Sequence, residues 1–311
     1  MNEKFIIRFT SLLTVGIILF TLVWFLSYYF LPEGFLKGRV VSDRGLPYSF
    51  DLNIYRGCSH NCQYCYARKS HKYLNSKYFK NEIFVKTNIG EVLEKELKRS
   101  RTGGKFINIG GVCDSYQPAE KKFKLMPGIL KILIKYKQPV IISTKSDLIL
   151  RDIELIDQLA HQAWVNIAVT ITSDNDEISS KVEPGASLPE VRWNILQEFS
   201  QTKASTGFHF FPILPFLSDD KTSMEKMVKR ASEVRVDYML SGILYLSGGI
   251  KERYLSFIKR EFPEYYSAYV ELYPRGRANL DYKSRIHSFL GRMREKYGVN
   301  AQYSKIIPSY K

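Results

Sequence analysis

From about residue 34 onward, short apolar runs alternate along the chain with longer amphipathic segments. The apolar runs are rich in Val, Ile, Phe and Tyr, which is a composition typical of β-strands. Continuous apolar strands that alternate with helices predict a parallel sheet that is buried on both faces. The six predicted strands cover residues 50–55, 105–109, 139–144, 165–171, 207–214 and 237–244.

The segments between these strands carry apolar residues at helical spacing, so each strand is expected to lead into a helix. The predicted helices lie around residues 89–100, 124–136, 151–162, 188–202 and 221–235. Six strand–helix units curled together form an incomplete (β/α)6 barrel, an α/β fold whose site lies at the carboxyl ends of the strands. After Leu246 the chain becomes basic and aromatic, and this region, including a helix over Leu280–Tyr297, is expected to cap the barrel.

The N-terminal region differs from the rest, because residues 9–31 contain no charged side chain. This run of 23 residues exceeds the roughly 20 that a helix needs to cross a bilayer. Trp24, Tyr28 and Tyr29 lie towards one end, as aromatic residues at a membrane interface do. We therefore predict a single transmembrane helix, with a signal peptide or a mis-assigned start codon as alternatives. The predicted units are an anchor at 1–33, a barrel at 34–246 and a basic helical cap at 247–311.

Net charge and cysteine content bear on the binding partners and the cellular compartment of the protein. Lys and Arg outnumber Asp and Glu by 46 to 31, a net charge of +15. That charge suits nucleic acid, an anionic membrane surface, or a lysine-rich exterior exposed to solvent. Four cysteines in 311 residues do not form a disulfide framework, and clustered thiols that must stay reduced favour the cytoplasm. We expect a membrane-attached body that faces the cytoplasm, with the N-terminus outside.

Three of the four cysteines lie within eight residues, in the segment Cys58-Ser59-His60-Asn61-Cys62-Gln63-Tyr64-Cys65. Three thiolates on one loop can hold a single inorganic centre, and a centre that takes four ligands keeps one position open for chemistry. A structural zinc site is the alternative. A zinc ribbon, however, usually brings a second ligand pair at similar spacing, and Cys113 stands alone.

The spacing of the three cysteines resembles the cluster loop of radical S-adenosylmethionine (SAM) enzymes. In that superfamily the cysteines hold a 4Fe–4S cluster whose unique iron is chelated by SAM. Several segments look like the branch that contains spore photoproduct lyase, often described as DNA repair photolyase-like. The similar segments are residues 53–68, 114–120, 144–146, 183–185 and 211–215.

The resemblance implies roles for several residues beside the three cluster ligands. Lys145 is the matched candidate for the SAM carboxylate, and Asp114 is the candidate acceptor for the SAM ammonium or ribose. Tyr64 would pack on adenine, and Thr170 would meet the amino-acid or ribose part of SAM. The residues alone leave ordinary alternatives open: a solvated lysine, an aspartate that caps a turn, a core aromatic and a threonine that favours strands.

Cys113 is the candidate catalytic residue, since in the lyase a cysteine near this position donates a hydrogen atom. Aligning the family aspartate with Asp114 places the lyase cysteine on Gly111, two residues before Cys113. Residues two apart on a strand share a face, so Cys113 can still point into the barrel. A buried cysteine that serves as a small apolar side chain is the alternative.

The resemblance implies an enzyme that cleaves SAM reductively, forms a 5′-deoxyadenosyl radical and removes a hydrogen atom from its substrate. A nucleic acid base is the substrate implied by the lyase-like branch, whereas a membrane anchor favours a lipid, peptide or small metabolite. We expect a monomer that receives electrons from a cytosolic donor of the flavodoxin or ferredoxin type. The alternative is a membrane-tethered metal-binding or interaction module without radical chemistry.

Overall fold

The structure of the protein, a computed structural model, describes residues 27–30, 36–38, 48–69, 80–99 and 104–301, with side chains from residue 50. Most of the predicted membrane span lies outside these ranges. Its last residues, Ser27–Phe30, form a strand and not a helix. Within the described ranges, every helix is too short or too polar to cross a membrane.

The described residues form two sheets and a series of helices. The strands are β1 (Ser27–Phe30), β2 (Leu36–Gly38), β3 (Tyr48–Leu52), β4 (Tyr55–Arg56), β5 (Glu82–Val85), β6 (Phe106–Ile109), β7 (Val140–Thr144), β8 (Val165–Thr170), β9 (Ser205–Ile213) and β10 (Tyr238–Ile243). The α-helices are α1 (Ile89–Lys98), α2 (Ala119–Phe123), α3 (Leu125–Lys135), α4 (Ile153–Ala160), α5 (Asp176–Val182), α6 (Pro189–Phe199), α7 (Lys221–Glu233), α8 (Gly249–Glu261), α9 (Tyr266–Leu272) and α10 (Leu280–Tyr297). Among the described residues, 3-10 helices also cover Asp147–Asp152 and Pro263–Tyr265.

The larger sheet confirms the predicted parallel architecture. Its six parallel strands follow one another in chain order as β3, β6, β7, β8, β9 and β10. β2 adds an antiparallel strand beside β3. Among the described strands, β10 does not pair back to β2 or β3. The carboxyl ends of all six parallel strands therefore meet at one edge, as a partial barrel requires.

The two faces of the larger sheet differ in what covers them. Phe208 and Phe210 of β9 lie in the main core, and Trp193 of α6 contacts Phe208 with ring centroids 4.8 Å apart. The alternate residues of β9, among them His209, point to the opposite face. We call this second face the lumen face. At the amino-terminal ends of its strands it is closed by a small apolar cluster of Phe106, Ile141, Trp164, Tyr238 and Leu240.

The strand predicted at 50–55 is in fact two strands. β3 ends at Leu52, and Tyr55 pairs instead with Val85 in the smaller sheet, whose order is β1-β5-β4. The chain thus leaves the larger sheet just before the cysteines. β5, α2 and α5 were not predicted, since each is shorter than eight residues and lacks a clear hydrophobic period.

The C-terminal region is helical, as predicted, and it packs at the carboxyl edge of β9 and β10. The Tyr273 hydroxyl donates to the Leu244 carbonyl at 2.8 Å, and Tyr269 donates to Pro215 O at 2.5 Å. Arg253 of α8 donates to Gln63 Oε1 at 3.1 Å. Through that contact the cap reaches the cysteine loop directly.

Candidate active site

The cysteine loop begins where β4 ends, beside the carboxyl edge of the parallel strands. Gly57 has a φ of +83°, which glycine adopts without strain and which turns the chain into the loop. Cys58 and Cys62 are buried, Cys65 is half-buried, and all three are free thiols. Backbone bonds from Asn61 N to Cys58 O and from Cys65 N to Cys62 O, both 3.3 Å, wind the loop into two tight turns.

On one side the loop is fixed to the segment that follows β6. Gln117, which is fully buried, accepts from Ser59 N at 3.0 Å and donates to Gly57 O at 3.0 Å. Within the loop, Arg68 donates to Asn61 Oδ1 at 2.5 Å and to Cys62 O at 3.2 Å. These bonds hold the backbone around Cys58 and Cys62 without using the sulfur atoms.

On the other side the loop docks on the Glu183-Pro184-Gly185 turn. Gln63 N donates to Val182 O at 2.9 Å, and Gly185 N donates to His60 O at 3.0 Å. A Cβ atom at Gly185 would lie 2.2 Å from Ser59 O, so any larger residue there would push the loop away. Glycine is required at this position because two backbones approach each other closely.

A buried ion pair lies under this contact. Arg192 Nη1 and Glu183 Oε2 are 2.5 Å apart, and both side chains are fully buried. The Tyr64 hydroxyl donates to the other oxygen of Glu183. Arg192 also donates to Thr170 O at 3.0 Å and to Ser187 O at 2.6 Å. One guanidinium therefore links the end of β8, the turn before α6 and the cysteine loop.

Burial controls the ionisation of the thiols and of Glu183. Desolvation, and after it the nearby Asp114, raises the pKa of Cys58 well above its usual range. Desolvation likewise raises the pKa of Cys62 to about 12, although the positive charge of Lys145 opposes the shift. Burial alone would raise the pKa of Glu183, but Arg192 and Lys145 outweigh it and hold that pKa below its ordinary value. Metal binding deprotonates such thiols, since the thiolate is the ligand.

Lys145 follows β7 directly and is half-buried at the carboxyl edge. Burial alone would lower its pKa, but the negative charges of Cys62 and Glu183 outweigh burial and raise it. In the part of the chain that the structure describes, no carboxylate lies within ion-pair distance of its Nζ. The ammonium is close enough to Cys62 for each charge to act on the other's pKa, and its contact with the SAM carboxylate stays a prediction.

Asp114 is buried, and internal donors occupy both of its oxygens. It accepts from Thr144 Oγ1 at 2.9 Å, from Lys145 N at 2.7 Å and from Tyr116 N at 2.9 Å. His60 Nδ1 lies 3.4 Å from the same carboxylate, and burial lowers the pKa of that imidazole. These contacts are those of an aspartate that ties the ends of β6 and β7 together. Its proposed contact with SAM stays a prediction.

The remaining cofactor candidates are Tyr64 in the cysteine loop and Thr170 at the end of β8. Tyr64 is anchored through its hydroxyl to Glu183, which leaves its half-buried ring as the surface open to a ligand. Thr170 ends β8, and its carbonyl accepts from Arg192. Thr172, two residues on, is buried, and its hydroxyl has no hydrogen-bond partner among the described residues. An orphaned buried hydroxyl is a reason to expect a ligand atom nearby.

Cys113 lies in the main core and is 3% exposed. Its thiol donates to the Tyr55 carbonyl at 2.9 Å, and burial raises its pKa to about 12. This burial is what the alternative interpretation expects, in which Cys113 serves as a small apolar side chain of the core. The hydrogen-atom donor role stays a prediction.

The donor set of the loop fits an iron–sulfur cluster. Three free thiols lie on one tightly turned loop, and the cationic side chains of Lys145 and Arg68 act on their ionisation. Across the described ranges, no three His, Cys, Asp or Glu side chains converge as ligands of one metal ion. A 4Fe–4S cluster binds each cysteine at a different iron, so its ligands stand further apart than those of a single ion.

Two residues of this region, the buried Arg192 and the half-buried His209, were missed by sequence reasoning. Arg192 lies in the predicted helix at 188–202, where an isolated basic residue normally faces solvent. His209 lies in a predicted strand as a single polar position among aromatic residues. A polar residue in an otherwise apolar strand was the available signal for His209, whereas Arg192 gave none.

A thiol loop at the carboxyl edge of an incomplete parallel barrel, with a lysine facing it, defines an α/β enzyme built around an iron–sulfur cofactor. The family comparison makes this specific, since residues 52–239 match the Radical SAM superfamily. The chain is 32% identical over 241 residues to an uncharacterized protein of Mycobacterium tuberculosis, covering 76% of this chain and 71% of that protein. This protein belongs to the radical SAM superfamily, whose members use a 4Fe–4S cluster and SAM as cofactors.

Further similarities are to another uncharacterized protein and to solved structures. An uncharacterized protein of Methanocaldococcus jannaschii is 32% identical over 168 residues, covering 54% of this chain and 61% of that protein. Spore photoproduct lyase complexed with dinucleoside spore photoproduct superposes with a TM-score of 0.59 at 14% identity, covering 89% of this chain and 82% of the lyase. A spore photoproduct lyase variant with bound AdoMet and dinucleoside spore photoproduct superposes with a TM-score of 0.58 at 13% identity, covering 82% of this chain and 76% of that variant. At these identities the likeness concerns the fold.

Proposed function

We propose that the protein is a lyase-like radical SAM enzyme that acts on a nucleic acid base. Bound at this site, the cluster supplies the electron that cleaves SAM and so starts hydrogen abstraction from the substrate. The observation that carries the proposal is that Lys145 directly follows β7 at the carboxyl edge, close enough to Cys62 for the two groups to shift each other's pKa. The similarity in fold to a lyase crystallised with a dinucleoside supports the choice of substrate.

The residues of this chain would act by holding and orienting the reactants. Cys58, Cys62 and Cys65 would hold the cluster, and Lys145 would pair with the SAM carboxylate as a point charge. Thr170 and Thr172 would meet the polar part of SAM, while the closed apolar end of the lumen would keep bulk water from the substrate. Exclusion of water protects a reactive intermediate from side reactions.

The test is an anaerobic assay of the reconstituted full chain with dithionite and SAM. We expect iron and sulfide near four each per chain and release of 5′-deoxyadenosine. A Cys62→Ala variant should lose both, and SAM cleavage by that variant at the parent rate would refute the proposal. The substrate class is tested by measuring nucleic acid binding at increasing salt concentration, because binding to nucleic acid phosphates weakens steeply as the salt concentration rises.

The cellular setting is also proposed. We propose a membrane-attached monomer whose body faces the cytoplasm and takes electrons from a flavodoxin or ferredoxin. The uncharged run at residues 9–31 supports attachment, and the oxygen sensitivity of the cofactor supports the orientation. Protease treatment of intact cells should leave the body undigested, and its digestion would contradict the orientation.

A further inference from the structure

The lumen face holds a hydrogen-bonded row of three side chains, one from each of the strands β8, β9 and β10: Asn166 and Tyr238 are fully buried, and His209 is half-buried. The Tyr238 hydroxyl donates to Asn166 Oδ1 at 2.8 Å, and His209 Nε2 lies 3.1 Å from the same hydroxyl. Asn166 Nδ2 in turn donates to Ser205 O at 3.3 Å. Asn166 shares a face with His209 because it lies four residues before Thr170, which pairs with His209. Tyr238 shares that face because it pairs with Gly207, two residues before His209.

These hydrogen bonds fix the tautomer of the His209 imidazole. Because Asn166 turns its amide nitrogen to a carbonyl, its oxygen must face Tyr238, so the tyrosine proton goes to Asn166. The tyrosine oxygen can then only accept from His209, which places the imidazole proton on Nε2. His209 Nδ1 is left as a lone-pair acceptor, and it has no partner in the described part of the chain.

The charge state of His209 agrees with this assignment. Burial, together with the positive charge of Lys145, lowers the pKa of His209 to about 4. The imidazole is therefore neutral at physiological pH, and Nδ1 keeps its lone pair.

An exposed aromatic ring lies further along the same strand, on the same face as His209. Phe211 lies two residues after His209 on β9 and is 56% exposed. A Cβ atom at Gly242 of β10 would lie 2.2 Å from the Phe211 ring, so the ring lies flat over the neighbouring strand because that residue is glycine. Tyr238 covers Gly207 in the same way at 2.1 Å. Phe211 thus offers a flat apolar surface at the open end of the lumen.

We propose that His209 Nδ1 and the Phe211 ring form the substrate subsite, which takes a flat ring carrying an N–H donor on its edge. The inference rests on the proposed function, because it names the residues that would read the base. The ring of the ligand would lie against Phe211, and its N–H would donate to Nδ1. A ligand without that proton would leave a half-buried acceptor unpaired.

The probe is uridine, a flat ring with an N3–H donor, compared with 3-methyluridine, which lacks that proton. Equilibrium dialysis of the reconstituted full chain with SAM present measures both affinities. We expect the parent to bind uridine about tenfold more tightly, the worth of one hydrogen bond. His209→Leu should lose the preference, whereas His209→Asn should keep it, since the asparagine oxygen falls near the position of Nδ1.

Two further variants separate stacking from the hydrogen bond. Phe211→Ala should weaken binding of both nucleosides about tenfold, while Leu280→Ala, an exposed apolar residue on the cap, should change neither. Equal affinity of the parent for the two probes, an unchanged preference in His209→Leu, or no binding of uridine would each overturn the inference. SAM cleavage measured on the same samples tests the proposed function separately.

Discussion

The Arg192–Glu183 pair gives the sharpest prediction for the architecture of the site. Replacing Arg192 with methionine removes one partner of a fully buried pair and leaves Glu183 with an uncompensated charge. Breaking such a pair costs about 3–5 kcal/mol. The Thr170 and Ser187 carbonyls lose their donor at the same time. Because total stability is about 5–15 kcal/mol, Arg192→Met should remove a large fraction of it.

Equilibrium unfolding in urea, followed by circular dichroism, measures the loss. The matched control is Arg230→Met, since Arg230 and Glu190 are also 2.5 Å apart but are 37% and 70% exposed. An exposed pair contributes about 0–1 kcal/mol. Alkylation of the ligand-free protein adds a second readout, because release of the loop should expose Cys62. Equal stability of the two variants, with unchanged alkylation, would show that the buried pair does not hold the loop.

Three further predictions concern single residues of the site. Gly185→Ala should displace the cysteine loop and lower iron content after reconstitution, whereas Gly128→Ala, on an open helix face, should leave iron content unchanged; equal iron contents would contradict the close approach. Lys145→Met should retain iron but weaken SAM binding about tenfold or more, measured by dialysis, as expected for the loss of a hydrogen bond between charged groups; unchanged SAM affinity would remove its assigned role. Cys113 should resist iodoacetamide at pH 8 in the folded protein and react after unfolding, because a thiol whose pKa is about 12 is almost entirely protonated at that pH. Rapid labelling of Cys113 in the native protein would refute its burial.

The sequence predicted the larger sheet well because its strands are continuous apolar runs. All six predicted parallel strands are present, and five helices were placed to within a few residues, for example α7 at Lys221–Glu233 against the predicted 221–235. The division of the strand predicted at 50–55 was not foreseen. Tyr55 continues the apolar pattern, and only its partner Val85, thirty residues away, draws it into the second sheet.

The sequence by itself predicted a single inorganic centre, because three cysteines close together on one loop need no distant residue to hold it, and the family resemblance indicated which centre it is. It also indicated Lys145, through the resemblance of residues 144–146 to the radical SAM branch. Only the tertiary structure showed that the Arg192 side chain is buried and pairs with Glu183, although a basic residue on a helix normally faces solvent. Only the structure fixed the tautomer of His209, because that depends on Tyr238 and Asn166 from two neighbouring strands. Local spacing sets the ligands, whereas buried charges and hydrogen bonds depend on which strands and helices the fold brings into contact.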